Sequence, residues 1–334
     1  MSYQTGTASN TIDLLQKIGT WLASTGWTID SSIVRGTGWR LHCHKAALYM
    51  NFSAGFNEGG TVAGFINSYG SLNDYLLALY AGDGYSSGSD WRSQSGGPIL
   101  TGTANKCGCG CPMPSGAIVA YHFFADSAGD NCVVVIERTA GIFSHMFWGP
   151  SLNKIGSWTG GPYFGASLDN YLLGFPVGGG YGTPGLEVST YPPGLSKDRA
   201  EMYVRADVDT WLNKWVSICQ TNTANAGSTG KPGGSNISTE DATDHGLDIA
   251  AMVERGTSNL TAQSLLFPIV VGAERDSAGH SLLGSIPNIF ITNACKKGFA
   301  AGGEYLWGGD TYKIFPGSTY NAVTQHYGFA IKKV

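Results

Sequence analysis

The sequence predicts a mainly β protein: an antiparallel, sandwich-like core with one N-terminal helix and long glycine-rich loops. Three observations predict it. Glycine takes 49 of 334 positions, roughly twice the usual 7% share, and has no Gly-X-Y period. Aromatic residues make up 12%, which suits short strands and tight turns around rings that fill a core. Apolar, β-branched runs separated by polar turns dominate residues 117–149, whereas the clearest helical period lies at the start of the chain.

Each element has its own signal. Ile12, Leu15, Ile18, Gly19 and Leu22 recur at three- and four-residue spacing and predict a helix over about 10–25. Asn10 is placed to cap its start, Asp13 lies in its first turn, and Gly26 sits where a C-cap glycine belongs. The polar first eleven residues or the polar stretch 221–240 read as arms that order against another subunit. The stretches "WTIDSSIVRG" and "WRLHCHKAALYMNFSAG" lose the helical period and predict a strand or hairpin. Ile118–Phe124, Cys132–Glu137 and Ile142–Trp148 are joined by short polar turns, which predicts a three-stranded antiparallel meander.

Residues 150–200 read as glycine- and proline-rich surface loops. Residues 202–219 fit two templates. Met202, Val204, Ala206 and Val208 alternate, yet Val204, Val208, Trp211 and Trp215 also fit a helix. The reading adopted is a strand to about 209, then a short helical turn. Residues 221–240 form a low-complexity polar loop. Beyond them, "SLLFPIVVGAER", "PNIFITNAC", "TYKIFPG" and "HYGFAIKKV" read as strands, with Pro268, Pro287 and Pro316 pointing to edges or bulges. No internal repeat or boundary divides the chain, so 1–334 reads as one domain.

Charged residues are only 13% of the chain, about half the usual share. A low-charge, aromatic surface suits a subunit largely covered by neighbours. The net charge is −4, and no basic run exceeds Lys296–Lys297 or Lys332–Lys333. Direct nucleic-acid binding, which needs a basic stripe, is not expected. Neither a signal peptide nor an apolar stretch long enough for a membrane helix is recognisable. Synthesis in a cytoplasm is therefore expected, where thiols stay reduced.

The chemical motifs are weak. Gly84–Gly88 matches G-x-S-x-G around Ser86, but the loop-like "SGSDWRSQSGG" follows where a helix is needed. Gly180–Gly185 matches G-x-G-x-x-G, but Pro184 argues against a phosphate-binding helix start. In a strand, Cys43 faces away from His42 and His44, so these three cannot share one metal ion. His122, His145 and His326 read as structural, and Glu137 has no evident carboxylate partner. No catalytic, cofactor-binding or metal residue is assigned, and no cofactor is expected.

"NKCGCGCPMP" places Cys107, Cys109 and Cys111 on alternate positions of a chain with seven cysteines, an odd number. Extended backbone would put all three on one face. They could be reduced thiols, contributors to a zinc site completed by Cys132, Cys43 or a histidine, or partners in a disulfide to a distant cysteine or another subunit. The three are retained as candidate disulfide residues.

Four stretches, in order, resemble bacteriophage virion proteins of the tail, neck or baseplate, mainly of contractile-tailed phages. They are "TASNTIDLLQKIGTWLASTGWTID", "AYHFFADSAGDNCVVVIERTAGIFSHMFWG", "SLLFPIVVGAERDSAGHSLLGSIPNIFI" and "GDTYKIFPG" followed by "QHYGFAIKKV". The resemblance implies a non-enzymatic structural subunit assembled with copies of itself and with other phage structural proteins. It implies a place in the virion, built in the bacterial host cytoplasm. The leading position is the neck or collar at the head–tail junction, with a baseplate or tail-completion subunit as the alternative. A receptor-binding module and a virion-associated hydrolase are the competing classes. The cysteine triplet is no part of the resemblance.

Overall fold

The computed structural model describes residues 2–36, 38–55, 75–89, 94–97, 109–166, 202–208, 211–218, 266–275, 279–292, 299–316 and 328–333. The low-complexity stretch 221–240, the glycine-rich motif at 180–185, His326 and Cys107 lie outside them.

The helix forms where its caps place it. Helix α1 spans Thr11–Ser24. The Asn10 side-chain oxygen accepts from the Asp13 backbone N–H at 2.9 Å, and Asp13 accepts in turn from the Ser9 N–H at 2.7 Å. Gly26 takes φ +89°. That conformation lets the Gly26 N–H reach the Ala23 carbonyl at 3.2 Å and the Trp27 N–H reach Leu22 at 3.0 Å. These bonds, with those that the Thr25 N–H and hydroxyl donate to Leu22, satisfy carbonyls at the helix end. The apolar face buries Leu14, Leu15, Ile18, Trp21 and Leu22.

The strands, in chain order, are β1 (Ser2–Ala8), β2 (Thr28–Arg35), β3 (Gly38–Lys45), β4 (Leu48–Ala54), β5 (Tyr75–Gly82), β6 (Cys109–Met113), β7 (Ile118–Ala125), β8 (Cys132–Thr139) and β9 (Ile142–Gly149). They continue as β10 (Asn153–Lys154), β11 (Gly160–Ala166), β12 (Met202–Val208), β13 (Trp211–Ile218), β14 (Leu266–Arg275), β15 (Gly279–Thr292), β16 (Gly303–Trp307), β17 (Asp310–Pro316) and β18 (Gly328–Lys332). They form three antiparallel sheets. The central sheet runs β1-β7-β8-β9-β11-β12-β13. A five-stranded sheet runs β2-β3-β4-β5-β6, and a six-stranded sheet runs β10-β15-β18-β17-β16 with β14 also paired to β15.

The central sheet is buried on both faces. On one, Tyr121, Phe123, Cys132, Val134, Ile136 and Trp148 pack with α1 and the five-stranded sheet. On the other, Phe124, Val133, Val135, Phe143 and Phe147 pack against Ile289, Ile291, Phe315, Phe329 and Ile331 of the six-stranded sheet. Double burial explains why β8 reads as an unbroken apolar run rather than an alternation. Each fully buried large side chain contributes roughly 1.5–3 kcal/mol of hydrophobic stabilisation.

The mainly β, sandwich-like fold and the 118–148 meander match the expectation from sequence. Three local expectations do not. Residues 211–218 are a strand, paired with β12 from Val208↔Trp211 to Met202↔Ile218, rather than a helical turn. Within 150–200, residues 160–166 form β11 of the central sheet, with Tyr163 and Phe164 buried. Ser2–Ala8, read as an arm, is ordered by its own chain through antiparallel pairing with β7. Pro268 and Pro287 do mark irregularity: β14–β15 register shifts between Pro268 and Val270. Among the described residues, no helix is long and apolar enough to cross a membrane.

Lys45 ties α1 to the meander. Its ammonium donates to the Thr25 carbonyl at 3.0 Å and to the Ala128 carbonyl, and pairs with Asp130 at 3.0 Å. Trp27 Nε1 donates to the Gly129 carbonyl at 2.8 Å. A cation at the C-terminal end of a helix also complements its dipole.

Candidate functional site

Strand alternation separates the neighbours of the His-Cys-His motif as expected. Cys43 lies in the core between α1 and the central sheet, while Arg40, His42 and His44 occupy the opposite face of β3. On that face His42 pairs across the strands with Asn51, and His44 with Tyr49. Arg40, His42 and Asn51 are buried despite their polarity. His42 Nδ1 donates to Asn51 Oδ1 at 2.6 Å, and the His42 ring lies against Tyr85 with centroids 4.8 Å apart.

His44 has a stronger partner. Its Nδ1 is 2.9 Å from both carboxylate oxygens of Asp30, and its ring stacks on Tyr49 at 4.7 Å. Asp30 reaches it through a bulge. The β2–β3 register pairs Ile29 with Cys43 and Ser31 with His42, leaving Asp30 as the extra residue. A bulge re-aims a side chain in this way. A carboxylate on Nδ1 fixes the Nδ1–H tautomer and presents Nε2 as an acceptor. Such a pair can orient a base or a metal ligand. No group of three or more His, Cys, Asp or Glu among the described residues is arranged to hold a metal. Sequence reading missed Asp30 because nothing in "TIDSSIVR" marks a bulge.

Ser86 lies in a loop after β5. Gln94, itself buried, clamps that loop: its Oε1 accepts from the Ser86 N–H at 2.6 Å. Its Nε2 donates to the carbonyls of Ser86 at 3.0 Å and Ser89 at 3.1 Å. The serine motif is therefore a loop stapled by a glutamine.

Cys109 and Cys111 share one face of β6, as extended backbone requires, and pair across from Leu79 and Leu77. Both are fully buried in the core shared with α1, and neither is in a disulfide. Cys111 Sγ donates to the His145 carbonyl at 3.5 Å. Within the described residues these two thiols form no disulfide, and both are buried. Cys107 lies outside the described residues. Cys43 and Cys132 are buried thiols of the same core. Burial, with nearby Asp30 adding to it at Cys43, holds Cys43 well above the ordinary thiol range. Burial does the same to Cys132. Both are kept as protonated, inert groups.

Two more histidines lie between the central and the six-stranded sheets, against Phe315 and Phe329. Tyr3 OH and His122 Nδ1 are hydrogen-bonded at 2.9 Å. His145 Nε2 donates to the Pro316 carbonyl at 2.9 Å. Burial, aided by Lys313, pushes His122 down to about 4. Burial pushes His145 down to about 4, against the opposing effect of its bond to Pro316. Both rings are neutral at neutral pH.

No protein-family model and no curated protein matches this sequence.

Proposed function

We propose that this chain is a non-enzymatic structural subunit of a phage particle, sited in the neck or collar and assembled with copies of itself. The observation that carries this reading is the order of the four stretches that resemble tail, neck and baseplate proteins. The geometry supports it in two ways. Polar side chains such as His145 and Lys45 are engaged in joining layers. Exposed apolar side chains among the described residues include Ile33 and Val34, the latter 62% exposed, on β2, Val119 on β7, Ile155, Leu282 of β15, and Leu306, 71% exposed, with Trp307 on β16. Exposed apolar side chains on a low-charge chain are suited to subunit contacts.

Quantitative mass spectrometry of gradient-purified particles tests the reading. The expected result is a fixed copy number relative to the major capsid protein. Absence from the particles would contradict it. The Asp30–His44 pair favours the competing hydrolase reading. Asp30→Asn particles with normal infectivity and unchanged cleavage of host envelope polymers are expected, and loss of such cleavage would favour an enzyme.

A further inference from the structure

Strand β1 is a terminal strand of the central sheet and, among the described residues, pairs only with β7. Ser2, Gln4, Thr5 and Thr7 are exposed, so among the described residues nothing covers the outward edge. Proteins usually blunt such an edge with Lys, Pro, inward charges or a bulge. "SYQTGTA" has no charge and no proline. Its one register shift lies at the far end, between Gly6 and Ala8, leaving Ser2–Gly6 regular.

The edge is also held rigid. Tyr3 is fixed by its hydrogen bond to His122 and by Phe124, 4.9 Å away between centroids. Lys313 and Lys333 place their ammonium groups 5.6 and 5.5 Å from the Tyr3 ring centroid, and Glu304 bridges the two lysines. Thr5 Oγ1 donates to the Tyr121 carbonyl at 2.8 Å. An edge already fixed in strand geometry loses little freedom on pairing.

We propose that β1 is a strand-addition surface through which two copies of this chain pair antiparallel, with Thr5 opposite Thr5. This deepens, and rests on, the multimeric reading above. The occupant follows from the sequence of the edge. A two-fold axis through Thr5 sets Gln4 against Gly6 within the regular stretch and brings Tyr3 opposite Thr7 at the register shift, with no like-charge contact. The axis is normal to the sheet, so each face of one central sheet continues into the same face of the other. A foreign peptide strand would need alternate side-chain pockets for specificity, and the Tyr3 face is already occupied by Lys313 and Lys333.

The test uses the full chain. Sedimentation velocity of the wild type shows association, and mild oxidation of Thr5→Cys gives a cross-linked dimer beyond the wild-type background, whereas Thr20→Cys, at an exposed position of α1, does not. Thr5→Lys weakens association by roughly tenfold or more, equivalent to about 1.4 kcal/mol. Mixing it with Thr5→Glu restores association. Thermal melting confirms that each variant is folded, and Gln4→Lys replaces Thr5→Lys if the latter unfolds. Association that persists in the lysine variant, or with no specific Thr5→Cys cross-link, overturns the edge and leaves the multimeric reading standing. A chain that stays monomeric at all concentrations overturns both.

Discussion

His122 and His145 stand in one row across the central sheet, joined through Val135, which pairs with both. The facing row on the outer sheet is Phe315 paired with Phe329. The His122 ring lies 4.8 Å from Phe315 and the His145 ring 4.7 Å from Phe329. Two imidazoles are thus sandwiched between sheets in a setting that favours their neutral form.

Acid should therefore loosen this interface. Both histidines titrate at about 4 in the folded chain, below their ordinary 6.5. As pH falls from about 6.5 towards 4, the unfolded chain takes up protons that the folded chain does not, so stability drops. Above about 6.5 this contribution is constant. For His145 the loss is on the order of 3 kcal/mol. Urea midpoints measured between pH 7 and 4 should fall, and His145→Gln, which keeps a donor for Pro316, should flatten part of the slope. An identical slope in that variant would contradict the assignment.

Gly129 is a second point of test. It has φ +73°, and a Cβ there would stand 2.2 Å from the Thr25 carbonyl oxygen. Gly129→Ala should destabilise the chain by roughly 1–3 kcal/mol, through backbone strain and loss of close docking between the turn and α1. A thermal melt unchanged from wild type would show that the turn does not pack on the helix end.

The buried thiols give a third. Cys109 and Cys111 should resist a water-soluble thiol reagent in the native chain and react only on unfolding. Cys111→Ser should cost about 1–3 kcal/mol, since a hydroxyl replaces a thiol in an apolar site. Rapid native-state labelling at either position, mapped by mass spectrometry, would contradict the placement of β6.

Local signals made some of this fold legible. Asn10, Asp13 and Gly26 mark both ends of α1 because capping is a matter of near neighbours. The meander was readable because its turns are short and its strands apolar. Residues 202–218 were ambiguous because Val204, Val208, Trp211 and Trp215 satisfy both periods, and only the β12–β13 pairing decides between them. β1 lacks any apolar alternation; it is a strand because β7 pairs with it and Tyr3 is anchored across the layers. The same limit hid the Asp30–His44 pair, which depends on a bulge. The alternation of Cys109 and Cys111 was visible, but their burial depends on pairing with β5 and on what covers that sheet.

The central claim, that this chain is an assembled virion part, is tested most directly by a cryo-electron microscopy map of purified particles. The account predicts several symmetry-related copies of the three-layer body at the head–tail junction, where the α1 helix and the seven-stranded central sheet can be traced. A map in which that body is found in no part of the particle would contradict it.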